Sequence, residues 1–306
     1  MSVHGKRPWL VLLLGVTGAA FAIVFPLWRD AGRHGGQTEA EPFRIAGNFY
    51  YVGASDVTSF LITSPEGHVL IDGGYPGTPP LILASIAKLG FNIKDVKILL
   101  NSEPHFDHAG GLAELQKASG AELWASEASA DTMAAGGDEG ENATFLPMRM
   151  FVWAGISRYT APRVDHRFKD GATVTLGPIK LTAHITGGHS RGCTTWTFPV
   201  RDGNRELNVV SACSMGLLPG MSLVEPENYP GIRGDFEHTF SVLRSLPEDI
   251  WVTSHAKAFG RYRKFVESGK AREPVAPFID RDGYLAFIDA GEKGFRELLA
   301  KQQGHP

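Results

Sequence analysis

Two cysteines in 306 residues are too few for a disulfide framework, and a chain of this length needs none to hold a core together. A basic excess is missing too. Thirty Lys and Arg stand against 33 Asp and Glu, a formal net charge of -3, which argues against a nucleic-acid partner. Charge runs, low-complexity tracts and short-period repeats are absent. Neither a Ser-x-x-Lys motif nor a Gly-x-Ser-x-Gly elbow falls where a serine nucleophile would be presented. What remains is ordinary globular composition, 43% hydrophobic and 21% charged, long enough to bury a large core. Aromatics at 10%, with 36 Gly and 19 Pro, indicate many strands and many turns.

The one long apolar run is N-terminal. Lys6 and Arg7 precede Trp9–Val16, and Ala20-Phe21-Ala22 supplies a small-residue cleavage site, so residues 1–22 read as a signal peptide. The run continues through Ile23, Val24, Phe25 and Leu27 to Trp28, about 20 residues, enough for an uncleaved membrane anchor. On either reading the chain is exported and the rest of it faces the periplasm. There Cys193 and Cys213 could pair, or remain two separate thiols. Residues 29–41, RDAGRHGGQTEAE, form a polar linker, and residues 42–306 read as one domain.

Within the domain, strand-type and helix-type segments alternate. Phe49–Val52, Ser59–Thr63 and His68–Asp72 follow hairpin grammar, with Ser64-Pro65-Glu66-Gly67 as a turn. Pro80–Leu89 is a helix stopped by Gly90, Val96–Leu100 a strand, and Ala113–Ala118 part of a helix stopped by Gly120. Thr173–Leu176, Ile179–Ala183 and Leu207–Val210 make a second strand-rich half. A helix around Phe236–Ser245, a strand at Ile250–Thr253 and a helix near Ala286–Lys301 close it. Two strand-rich halves, each closed by helices, imply two sheets packed face to face with helices outside.

Between the strand Val96–Leu100 and its helix, Asn101-Ser102-Glu103-Pro104-His105-Phe106-Asp107-His108 packs four potential metal ligands into six positions. Zinc takes imidazole nitrogen and carboxylate oxygen, and a catalytic site leaves one position open for water. Glu103 and His105 can face one ion while Asp107 and His108 face a second. Gly187-Gly188-His189-Ser190 and Thr253-Ser254-His255-Ala256 each follow a strand, where loops carry function on a rigid scaffold. His184, in the strand leading to His189, comes closest to these settings but is assigned to the core or surface. His4, His34, His68, His166, His238 and His305 lack comparable settings and are assigned to core, surface or tails.

This order of motifs, with Val69-Leu70-Ile71-Asp72-Gly73-Gly74 and Ala212-Cys213-Ser214 between them, resembles the metallo-β-lactamase superfamily, and most closely its B3 subclass. The resemblance covers nearly all of Pro42–Gln303. It implies an α/β fold, a four-layer αββα sandwich of two mixed sheets flanked by helices. It implies two zinc ions, one held by Glu103, His105 and His189, the other by Asp107, His108 and His255. Asp107 would also position the nucleophile, Ser214 would hold the substrate carboxylate, and Asp72 would orient the ligands from behind. The activity implied is zinc-dependent hydrolysis of the β-lactam amide bond, giving antibiotic resistance, by a monomer acting on a small molecule.

The chain departs from the family at three points. The family usually has His at position 103, a second serine at Gly216, and an aspartate at Cys213, whose thiolate could itself reach the second zinc. Two other readings compete: a lactonase or thioesterase of the same fold, and a non-catalytic metal-binding protein.

Overall fold

The computed structural model describes residues 38–137, 155 and 157–304. The signal segment and all but the last residues of the linker lie outside the described residues. Strands β1 (Phe43–Ala46), β2 (Phe49–Tyr51), β3 (Phe60–Ser64) and β4 (Gly67–Ile71) form an antiparallel meander. Strands β5 (Val96–Leu100), β6 (Glu122–Ser126) and β7 (His166–Phe168) extend it in parallel, so the sheet runs β1 to β7 in chain order. Parallel neighbours need crossovers. Helices α1 (Pro79–Lys88) and α2 (Leu112–Ser119) provide the first two, and α3 (Glu127–Ala134) follows β6.

The second sheet contains β8 (Thr173–Leu176), β9 (Ile179–Ile185), β10 (Thr194–Asp202), β11 (Arg205–Ala212) and β12 (Ile250–Thr253). It is antiparallel except where β12 returns beside β11 after helix α4 (Ile232–Ser245). Helices α5 (Arg261–Ser268) and α6 (Arg281–Gln302) complete the six α-helices among the described residues. The two mixed sheets flanked by helices are the sandwich expected from the sequence.

Strand alternation sorts the apolar residues into two cores. Leu61, Leu70, Leu99 and Leu123 point outward from the first sheet, onto Ile82 and Ile86 of α1 and Leu112 and Leu115 of α2. Ile62, Val69, Ile71 and Leu100 point inward and meet Leu181, Trp196, Phe198 and Val209 of the second sheet. A sheet buried on both faces requires near-continuous apolar strands, which is why β4 and β5 read GHVLI and VKILL.

Three differences from the sequence reading have physical causes. Helix α6 begins at Arg281, five residues early, because the Asp280 side chain caps it by accepting from the Gly283 amide at 3.0 Å. Helix α4 begins at Ile232 rather than near Phe236, after a Gly231 N-cap in the left-handed region (φ 89°) that glycine adopts readily and with no side-chain cap. Strand β10 was not anticipated, and its Pro199 argues against a central strand. However, β9 pairs with β10 only over Thr194–Thr197, so Pro199 lies where β11 is the sole neighbour, an edge-like position that proline tolerates.

Candidate metal centre

The loop after β5 is held from all sides by its backbone. Its carbonyls at Asn101, Ser102 and Pro104 accept from Trp196 Nε1 (3.2 Å), the Thr194 amide (2.7 Å) and the Tyr159 hydroxyl (2.6 Å). Asp72, just past β4, takes a left-handed φ of 61°, which aspartate tolerates better than most residues. Its Oδ1 accepts from the Ser102 amide (2.8 Å) and Asn101 Nδ2 (3.3 Å), and its Oδ2 from the Ser102 hydroxyl. Asn101 Nδ2 donates in turn to the Glu103 carbonyl at 2.7 Å. Asp72 therefore acts on Glu103 through the backbone, and none of its hydrogen bonds is to a histidine. Burial lifts the Asp72 carboxyl to about 6, against the opposing pull of His108 and the Ser102 bonds.

The sequence-distant histidines arrive at strand ends. His189 follows β9 through Gly188, whose φ of +123° and contact with the Phe236 ring leave no room for a side chain. His189 Nδ1 bonds the Gly216 carbonyl, so Nε2 faces the site. His255 follows β12 and is fixed by an isolated bridge to Val57, flanked by Thr58 N to Ser254 O (3.1 Å) and Ala256 N to Asp56 O (2.6 Å).

Two donor sets result. Glu103 Oε2 lies 2.7 Å from His105 Nδ1 and 3.0 Å from His189 Nε2. Asp107 Oδ2 lies 3.3 Å from His108 Nε2 and 3.7 Å from His255 Nε2. Within each set the donor atoms lie within 4.8 Å of one another, as shared coordination of one ion requires. These are the two triads implied by the resemblance, drawn together across about 80 and 150 residues of sequence. A third cluster of Glu103, Cys193 and Cys213 has no thiolates to offer, because the two cysteines form a disulfide with Cα atoms 5.8 Å apart.

The charges show what the site is built for. Glu103 is fully buried, yet His108, His189 and the His105 hydrogen bond hold its carboxyl well below the usual range despite that burial. Asp107 is held ionised in the same way, chiefly by His108. Burial opposes a charge on His108, but Asp107 and Glu103 outweigh it and lift its imidazole from 6.5 to about 10. One buried and one half-buried carboxylate ringed by four imidazoles offer oxygen and nitrogen donors only, a set that fits a divalent cation of the zinc type. The two carboxylates thus favour a protonated His108 in the metal-free site, and metal entering the Asp107 set would displace that proton. Zinc titration at pH 7 should release about one proton per ion entering the Asp107 set, falling as pH approaches 10. Calorimetry in buffers of different ionisation enthalpy measures this; a heat independent of buffer would show His108 neutral beforehand.

Around the two donor sets, the remaining candidates are placed by their own hydrogen bonds and burial. Ser214, expected at the substrate, is buried with its hydroxyl on Glu103 Oε1 at 2.6 Å. His184 bonds Thr197 Oγ1 at 2.8 Å and belongs to neither set. Gly188-His189-Ser190-Arg191-Gly192 does spell Gly-x-Ser-x-Gly, but Ser190 is buried in the turn between two strands, not on a strand-to-helix elbow. Ser85 and Lys88 spell Ser-x-x-Lys on α1, where Ser85 is buried. One neighbour was missed: Asp56, whose Oδ2 lies 3.8 Å from His255 Nδ1. No spacing signals it, since only the Val57–His255 bridge brings it there.

The profile of the metallo-β-lactamase superfamily matches residues 52–203. Among solved structures, the FEZ-1 metallo-β-lactamase from Legionella gormanii aligns with a TM-score of 0.81 and 37% identity, covering 87% of this chain and 98% of that one. BJP-1, a subclass B3 metallo-β-lactamase of Bradyrhizobium japonicum, aligns at 0.78 and 32%, covering 88% and 97%. GOB-18 from Elizabethkingia meningoseptica, another metallo-β-lactamase, aligns at 0.78 and 33%, covering 86% and 94%. Fold and site thus define a metal-dependent hydrolase. The chain belongs to the metallo-β-lactamase superfamily, and its fold matches that of subclass B3 enzymes.

Proposed function

We propose that this protein is an exported zinc-dependent β-lactamase that opens the β-lactam amide bond. The observation that carries the reading is the pair of donor triads, Glu103–His105–His189 and Asp107–His108–His255, side by side in a fold that matches B3 β-lactamases. Zinc held there would acidify a water and polarise the lactam carbonyl. The protein's own part is to orient and to hold charge. Asp107, kept ionised, can accept a hydrogen bond from the attacking water and align it. His108 and His255 fix the Asp107 carboxylate, and Trp196, Thr194 and Tyr159 keep the loop from relaxing. No serine nucleophile is required.

The disulfide bears on the alternative hydrolase and on location. Lactonases and thioesterases of this fold usually carry a metal-bridging aspartate where this chain has Cys213, which is tied to Cys193 and offers no oxygen. A buried disulfide in a chain of this size also suits an oxidising compartment, in keeping with the proposed export to the periplasm.

Hydrolysis of a chromogenic cephalosporin should be lost on treatment with a chelator, restored by zinc, and untouched by a serine-directed covalent inhibitor. Full activity after exhaustive metal removal would overturn the proposal. Turnover of a lactone or thioester, with none of the cephalosporin, would establish the alternative hydrolase.

A further inference from the structure

Ser214 stands two residues past β11, and its hydroxyl points at Glu103. It donates to Glu103 Oε1 at 2.6 Å, between two residues that are 8% and 0% exposed. The other oxygen, Oε2, is the one that faces His105 Nδ1 and His189 Nε2. Two further atoms lie near Oε1, and neither replaces the serine. Cys213 Sγ, at 3.8 Å, is a disulfide sulfur without a proton, and His108 Nε2, at 3.6 Å, is closer to Asp107. A hydroxyl on an ionised carboxylate is among the stronger hydrogen bonds.

The strand pair holds the serine in place. Trp196 pairs with Ser211 across β10 and β11, Thr195 Oγ1 accepts from the Cys213 amide at 3.2 Å, and the Cys193–Cys213 bridge ties the same two segments. Ser214 thus has little freedom to swing outward.

We propose that Ser214 is a positioning residue for Glu103, occupying Oε1 so that the carboxylate offers Oε2 alone to the first metal. Glutamate can grip a cation with one oxygen or two. Held to one, it imitates the single nitrogen of the family's usual histidine and leaves a coordination position for water. The hydrogen bond also offsets part of the extra negative charge that glutamate brings. A consequence follows for specificity. With Ser214 engaged and residue 216 a glycine, neither of these two positions offers a free hydroxyl for a substrate carboxylate.

The inference rests on Glu103, His105 and His189 binding metal, and the test separates the two. Zinc affinity is measured by chelator competition, without substrate, for the parent, Ser214→Ala, Glu103→Ala, Glu103→His and the Glu103→His/Ser214→Ala double variant. Ser214→Ala should bind the first zinc about 10–100-fold more weakly. In the Glu103→His background the same change should matter within about twofold, because imidazole has no second oxygen to occupy. Cobalt-substituted Ser214→Ala should show weaker visible absorption, as the freed carboxylate adds a ligand atom. KM for a cephalosporin should stay within about twofold of the parent. Unchanged zinc affinity with a raised KM would return Ser214 to substrate binding. An equal loss in the histidine background would make its role general packing, and either result overturns the proposal. Unchanged zinc affinity in Glu103→Ala would instead remove the ligand set, and the inference with it.

Discussion

Asp107→Asn is expected to lower cephalosporin turnover by about 10²–10⁴-fold while the protein stays folded, the range for loss of a positioned proton-transfer group. Asparagine keeps the shape and one oxygen, so the change isolates the charge. In the parent that charge lies 3.3 Å from His108 Nε2 and 3.7 Å from His255 Nε2 and is the main attraction holding His108 at about 10. Without it His108 falls towards its ordinary range, the second donor set loses its anion, and the attacking water loses its strongest acceptor. Steady-state kinetics paired with metal counting by mass spectrometry should show kcat falling along with occupancy of the second site. The first set contains no Asp107 atom and should stay filled. A variant with parental turnover and two full sites would mean that Asp107 neither binds nor positions anything.

Trp196→Ala should destabilise the fold by about 3–5 kcal/mol, the range for deleting a large buried aromatic. Against a total stability of roughly 5–15 kcal/mol this is a large share. Trp196 is fully buried between the sheets, packs edge-on against Phe168 with centroids 5.1 Å apart, and donates its indole N–H to the Asn101 carbonyl. Urea unfolding measures the loss; a change below about 1 kcal/mol, the net worth of one hydrogen bond, would refute the anchoring role. Trp196→Phe separates the two contributions. It keeps most of the ring burial but frees the Asn101 carbonyl, so it should cost about 1 kcal/mol and loosen the ligand loop, seen as weaker zinc binding.

Much of the site can be read from residue types and local spacing. Glu103, His105, Asp107 and His108 lie on one short loop after an apolar strand, and a loop of that density has few uses other than metal. His189 and His255 are singled out by their positions just past strands, and the distinction between them and His184, inside β9, holds in the structure. The apolar strands β4 and β5 and the helices α1 and α2 follow from periodicity and glycine stops. Strand β10 is harder to see because of Pro199, and α6 begins early on a cap that only the Asp280–Gly283 contact reveals.

What the sequence determines here is the chemistry on offer: six nitrogen and oxygen donors, the strand ends that carry them, and a two-sheet architecture that buries both faces of its strands. Which atoms meet is decided by contacts that no local pattern encodes. Ser214 and Glu103 are 111 residues apart, and their hydrogen bond exists because β11 ends beneath the loop that follows β5. The Cys193–Cys213 bridge depends on the β10–β11 register, and Asp56 nears His255 only through the Val57 bridge. A serine next to a metal loop can face substrate or ligand with equal propensity. The choice between them is made by the position of its backbone, and that position is a property of the packed sheets.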